Sequence, residues 1–266
     1  MVFEQIFKLK WIESKEHAFF LGFAYSLIGF ISAMLIFPAN VGLMSVAFTS
    51  ILLIPSLAIL LKMEENVEIR EKKLSLKLLF KDHKDIFKVY IFLFLGVFLA
   101  YSIISLLMPE ITLKKLFTSQ LESAGISGFA ANKAALLDII FNNLIIFIVS
   151  FVLSLIYGAG AVLFLTWNAS VWAVVFAFFV KQAASVSHGN VASEFITSVI
   201  PFLPHMTTEA IAYISAAIAG GVVSKAVLRE KLFSKKFHHI ITDALMLLGI
   251  GFILVILAGI IEVYYF

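Results

Sequence analysis

His205 and Glu209 are the strongest candidates in this sequence for a site that binds a proton or an ion. They are four positions apart in a long apolar stretch, and a helix therefore places both on one face. An imidazole and a carboxyl group in such an arrangement can hold or exchange a proton. They can also ligate a metal ion, but a zinc site needs a third protein ligand, for which His188 is the nearest candidate in sequence. The pair is a candidate proton or ion site and a weak candidate metal site.

Other polar side chains fall in similar apolar stretches. Together with the pair, the predicted buried polar cluster comprises Asn142, Asn143, Asn168, His205 and Glu209, and the secondary candidates are Asp138, Tyr213 and Glu262. Polar groups inside a membrane span face the bundle interior and often mark a functional site. The alternative is that they only bond across a helix interface, at about 0.6 kcal/mol each. Asn142 and Asn143 differ by about 100° around a helix, so their amides need different partners.

A stripe of small residues continues the face that carries His205 and Glu209. It consists of Ala212, Ala216 and Gly220. Small side chains let a second helix approach closely. We therefore expect Glu209 to face other helices rather than lipid. Since the stripe can serve within one chain or between two, the sequence is compatible with a homodimer.

The elements that must position these residues are membrane-spanning helices. The chain has 266 residues, of which 62% are hydrophobic and 14% charged, and soluble domains are much more polar. A span needs about 20 apolar residues. The segments that qualify are 18–37, 42–61, 88–108, 136–157, 160–180, 201–223 and 240–262. The predicted fold class is an all-α polytopic membrane bundle of about seven helices. Pro201 and Pro204 are expected to open the sixth span, for which a broken or re-entrant segment is the alternative.

The distribution of lysine and arginine predicts the orientation. Sixteen of the 20 basic residues lie before span one, after span two or after span six. Seven spans put these three segments on one side, which the positive-inside rule identifies as the cytoplasm. The N-terminus is then cytoplasmic and the C-terminus extracytoplasmic, in the cell membrane. Basic blocks beside apolar runs suit lipid headgroups and not nucleic acid, and without cysteine no disulfide or thiolate chemistry is available.

Three pieces outside the spans have amphipathic patterns. Phe3, Phe7 and Trp11 recur at helical spacing, residues 74–88 mix Leu and Phe with Lys, and the outer loop carries a stripe of Leu113, Leu116, Phe117 and Leu121. Each pattern is typical of a helix on the membrane surface. Periodicity alone favours equally a helix that packs on the protein's own loops.

The polar positions, taken together, resemble the stage II sporulation protein M family of integral membrane proteins (SpoIIM, DUF95). The resemblance is carried by Phe141-Asn142-Asn143, Gly158 and Gly160, Asn168, Pro204-His205-Met206-Thr207-Thr208-Glu209-Ala210, Gly220-Gly221 and Glu262. It covers roughly residues 88–266. The family pattern usually has Gly where this chain has Ala169 and Met206.

The resemblance implies a division of the chain and a function. Residues 1–87 would form a transmembrane hairpin with amphipathic and charged cytoplasmic segments, and residues 88–266 a SpoIIM-like domain of five helices. The implied function is a non-enzymatic scaffold, without cofactors, that organises membrane or envelope partners. The residues themselves leave two alternatives open: a proton- or ion-coupled transporter or channel that uses Glu209 and His205, and an intramembrane metal-dependent enzyme.

Overall fold

The structure is a computed structural model that describes residues 15–68, 84–124, 136–187 and 190–265. These residues form helices and connecting turns. The helices are α1 (Lys15–Ile36), α2 (Val41–Glu68), α3 (Lys84–Leu107), α4 (Glu110–Leu116), α5 (Thr118–Ser123), α6 (Leu136–Tyr157), α7 (Val162–Ser187), α8 (Val191–Arg229) and α9 (Lys235–Tyr265). Seven of them are long and apolar enough to cross a membrane. The predicted all-α polytopic bundle is therefore confirmed.

The first three helices pack together through two glycines. α1 lies against both α2 and α3, and α3 also lies against α7. A Cβ atom on Gly22 of α1 would collide with the carbonyl oxygen of Leu93, and one on Gly96 of α3 would collide with that of Phe19. Glycine at both positions therefore lets the backbones of α1 and α3 touch, as small residues do in membrane helix pairs.

The short helices α4 and α5 cover the ends of this group. Leu113 and Phe117, from the predicted amphipathic stripe, are fully buried. The Phe117 ring stacks on Phe30 at a centroid distance of 6.0 Å and meets Tyr101 edge-on at 6.1 Å. Of the two alternatives for this stripe, packing on the protein itself is thus confirmed. The segment with Phe3, Phe7 and Trp11 lies outside the described residues, as does most of 74–88.

Helix α8 is continuous over 39 residues and contains both Pro201 and Pro204. The prediction that these prolines open the sixth span is therefore wrong, and the segment is neither broken nor re-entrant. Proline is tolerated inside a membrane helix where neighbouring helices stabilise it. Here Phe202, between the two prolines, packs edge-on against Trp172 and Phe176 of α7 at 6.4 and 5.0 Å. The turn of α8 that contains both prolines therefore packs against α7.

The second half of α8 packs against α6 and α9. Ala212 and Ala216 have no exposed surface, and a Cβ atom on Gly220 would collide with the carbonyl oxygen of Phe151 on α6. The predicted small-residue stripe therefore serves within the chain. α6 and α7 join through a tight turn in which Gly158 has φ +69°, a left-handed conformation that favours glycine.

The packing bears on the predicted division at residue 87. α1 packs chiefly on α3, and Gly22 and Gly96 fix that contact. The first two helices thus share an interior with the first helix of the predicted SpoIIM-like domain. The division into a hairpin and a separate five-helix domain stays a prediction.

Candidate functional site

Four of the candidate residues meet where α8 packs on α9. His205 Nε2 lies 3.4 Å from Glu209 Oε2 on the same helix and 3.5 Å from Glu262 Oε2 on α9. The Tyr213 hydroxyl donates a hydrogen bond of 2.6 Å to Glu209 Oε1. We call His205, Glu209, Tyr213 and Glu262 the α8–α9 cluster. Helical spacing positions its three members on α8, since 205, 209 and 213 are successive turns of one face.

The imidazole fixes where one proton must be. Its Nδ1 lies 3.1 Å from the carbonyl oxygen of Ala258. A carbonyl oxygen only accepts hydrogen bonds, so Nδ1 must carry hydrogen. Nε2 then faces two carboxyl groups, and a favourable contact there requires a proton either on Nε2 or on a carboxyl oxygen that donates to it. The cluster is therefore built to hold at least one proton between α8 and α9.

Exposure differs sharply within the cluster. The side chains of His205 and Glu209 are 3% and 8% exposed, whereas that of Glu262 is 36% exposed. Glu262 lies at the end of its span. The cluster thus runs from a partly exposed carboxyl group inward to a buried imidazole and a buried carboxyl group. From the sequence, Glu262 was only a secondary candidate, because it lies near the end of a span. Its contact with His205 makes it part of the α8–α9 cluster.

An aromatic wall completes the surroundings of His205. The Trp172 ring on α7 lies 5.2 Å from the imidazole centroid at an interplanar angle of 57°, and Trp172 stacks in turn on Phe176. Sequence analysis missed Trp172 because an aromatic residue in an apolar span carries no signal of what it faces. The ring excludes water from one side of the imidazole, which strengthens any polar contact on the other side.

The asparagines of the predicted cluster do not hydrogen-bond with it. Asn143 is buried on α6, and its Nδ2 atom has no hydrogen-bond partner among the residues that the structure describes. The same holds for the buried Nδ2 atom of Asn168 on α7. Asn142, the next residue along α6, is exposed, and that the two neighbouring amides need different partners stays a prediction. The polar residues predicted to form one cluster therefore divide into an ionisable cluster between α8 and α9 and asparagines that lie apart from it.

Two further acidic residues lie apart from the cluster. Asp138 is exposed at the start of α6. Asp243 Oδ2 lies 3.5 Å from His239 Nε2, one turn earlier on α9 and close to the opposite end of that helix from Glu262. Both members of this second histidine–carboxylate pair lie on α9.

The metal hypothesis gains no third ligand from the structure. Among the described residues, no group of three His, Cys, Asp or Glu side chains is arranged to hold a metal ion. His188 lies outside the described residues.

Comparison with known proteins finds a family match over most of the chain. The family model described as Stage II sporulation protein M matches residues 87–265. This match confirms the resemblance that the polar motifs indicated, over the same part of the chain. No curated protein and no solved structure matches.

Proposed function

We propose that this chain, which belongs to the stage II sporulation protein M family, is a non-enzymatic membrane scaffold that organises membrane or envelope partners. It is a multi-pass membrane protein with seven helices able to span the bilayer. The observation that carries the proposal is that the α8–α9 cluster directs its polar atoms at one another. Polar groups satisfied within the protein rigidify a bundle, and a scaffold needs a fixed surface to present.

Affinity purification from native membranes in mild detergent tests the scaffold. We expect a reproducible partner in fixed ratio to the protein. H205A should reduce that partner severalfold, because Glu209 and Glu262 would be left without the imidazole between them. H238A is the matched control, since His238 is exposed. Only the monodisperse fraction of each variant is compared, so that misfolding is not scored as partner loss. Recovery of wild-type protein alone would contradict the proposal.

A proton- or ion-coupled transporter is the second candidate. The observation that favours it is the gradient of exposure within the cluster, from Glu262 at 36% to Glu209 at 8%. A proton taken up at Glu262 would have His205 and then Glu209 within 3.5 Å steps. Ionisable groups inside membrane spans commonly serve such relays.

Flux measurements in liposomes separate the two candidates. If the cluster carries protons or ions, a pH gradient should drive flux through wild-type protein, and E209Q should abolish it while keeping the side-chain shape. E122Q is the control, since Glu122 is exposed on α5. Wild-type protein that carries neither protons nor metal ions nor small solutes would remove the transporter and leave the scaffold standing. Metal analysis of the same preparation tests the enzyme alternative.

We also propose that the N-terminus is cytoplasmic and that the host membrane is the cell membrane, from the lysine and arginine distribution. The chain has no cysteine, so single cysteines report their side cleanly. A membrane-impermeant maleimide should label S123C on intact cells and K231C only after permeabilisation, both positions being exposed. If K231C were labelled on intact cells and S123C only after permeabilisation, the N-terminus would lie outside and the proposed orientation would be wrong.

A further inference from the structure

Helix α6 has two faces of opposite character. One packs inward through Asn143, Phe147, Ser150 and Ser154. The other is exposed along the whole helix, through Leu137, Phe141, Ile145, Ile148, Val152 and Ile156. α6 is the least buried of the seven spans. Apolar side chains on such a face suit lipid and call for no partner.

Asn142 breaks that pattern. It is exposed on the outward face, between Phe141 and Ile145. It lies six residues inside the span that begins at Leu136, which is about 9 Å along the axis. An asparagine side chain is too short to reach the headgroups from there, unlike lysine or arginine. An amide that faces hydrocarbon without a partner is unfavourable by several kcal/mol. A partner that supplies both a donor and an acceptor at this depth would remove that cost.

We propose that the exposed face of α6 is an interface between two copies of this chain, joined by a reciprocal pair of Asn142 amides. A second copy fits for a chemical reason. The asparagine amide carries both a donor and an acceptor, so two of them related by a two-fold axis satisfy each other with two hydrogen bonds. Two copies share one orientation in the membrane, so that axis runs along the membrane normal and the same face meets itself.

The rest of the face fits a parallel pair. Ile145, Ile148 and Val152 follow Asn142 at helical spacing and are exposed. They would pack against their counterparts in the second copy. Asp138 lies one turn nearer the end of the span, where water and headgroups can hydrate it while the two helices diverge from their crossing at Asn142. The pairing is separate from the α8–α9 cluster and does not depend on the proposed scaffold function.

Cysteine cross-linking in liposomes tests the interface, because the chain contains no native cysteine. The reporter is I145C, one turn from Asn142 on the same face. The matched control is L257C, which is comparably exposed on α9. At a high lipid-to-protein ratio we expect I145C to form a disulfide-linked dimer on mild oxidation and L257C to stay monomeric.

The amide itself is tested in the I145C background. N142L should lower the cross-linked fraction about fivefold or more, and N142Q, which keeps an amide, should retain most of it. N142L removes only an exposed side chain, so it should leave folding intact, and the elution volume in detergent checks this. Equal cross-linking of I145C and L257C would overturn the proposal, as would cross-linking that N142L leaves unchanged. In native membranes, an I145C adduct to a different protein in place of the dimer would also overturn it.

Discussion

The two halves of the bundle bury polar groups of different kinds. Between α1, α2 and α3 the fully buried polar side chains carry hydroxyl groups: the Tyr101 hydroxyl donates to Ser45 Oγ at 3.0 Å, and the hydroxyls of Ser45 and Thr49 donate to carbonyls of their own helix. Between α8 and α9 the groups are ionisable, and His205 meets Glu262 across the helix interface. Each half contains a buried tyrosine whose hydroxyl donates a hydrogen bond, Tyr101 in the first and Tyr213 in the second. Removing each hydroxyl therefore compares the two halves by experiment.

Only one of these two kinds of buried polar group can take part in proton or ion chemistry. A hydroxyl that bonds a carbonyl one turn back on its own helix satisfies itself and carries no charge. A carboxyl group beside an imidazole holds a movable proton and binds two helices together. The family model begins at residue 87, so the ionisable half lies entirely within the matched region, whereas α1 and α2 lie outside it.

Removal of the imidazole should have the largest effect. H205A leaves the buried Glu209 and the partly exposed Glu262 without the imidazole between them, and loss of one partner of a buried ion pair destabilises by about 3–5 kcal/mol. Unfolding in mixed micelles with increasing dodecyl sulfate measures the loss. A loss no larger than that of H238A would mean that the ionisable half is held together by apolar packing alone, as the neutral half is.

A change in the neutral half should come next. G96L forces a side chain into the carbonyl of Phe19, and overpacking of this kind destabilises by about 3 kcal/mol at the upper end. G249A on α9 is the control, because a Cβ atom there meets no neighbour within 4 Å. The same micelle titration applies. If G96L were as stable as G249A, backbone contact would not hold α1 to α3.

The smallest effects compare the two buried tyrosines directly. Y213F removes a hydrogen bond to a carboxyl oxygen, worth about 1.5–3 kcal/mol, and Y101F removes one between two hydroxyls, worth about 0.5–1.5 kcal/mol. Both rings are buried, so apolar packing is matched. Y213F should therefore be the less stable variant in the same titration. Equal losses would show that the two halves hold their polar groups equally tightly.

The spans were largely predictable because hydropathy needs only composition over about 20 residues. The fourth span, 136–157, coincides with α6. The sixth span, predicted to begin at residue 201, does not coincide with its helix, because α8 begins ten residues before Pro201. Proline in a sequence indicates a helix start, but in the structure Phe202, between the two prolines, lies inside a longer helix and packs on Trp172 and Phe176 of α7. These contacts join residues 30 and 26 positions apart, so no local sequence pattern indicates them.

The site was predictable in part for the same reason. His205 and Glu209 are paired by helical spacing, which a sequence displays directly. Glu262 comes from another helix, and only the packing of α9 on α8 brings it within 3.5 Å of His205. The asparagines were grouped with the pair because they too are polar in apolar spans. The direction in which each amide points depends on neighbours that the sequence does not identify.

The length of α8 has a consequence for the membrane itself. At 39 residues it is about 58 Å long, nearly twice the thickness of about 30 Å of the hydrocarbon layer. A rod of that length must lie strongly oblique or project beyond the headgroups, and its preferred inclination changes with bilayer thickness. α8 contacts α7 through Phe202 and α9 through His205. A change in lipid chain length that tilts α8 would therefore change these contacts inside the bundle.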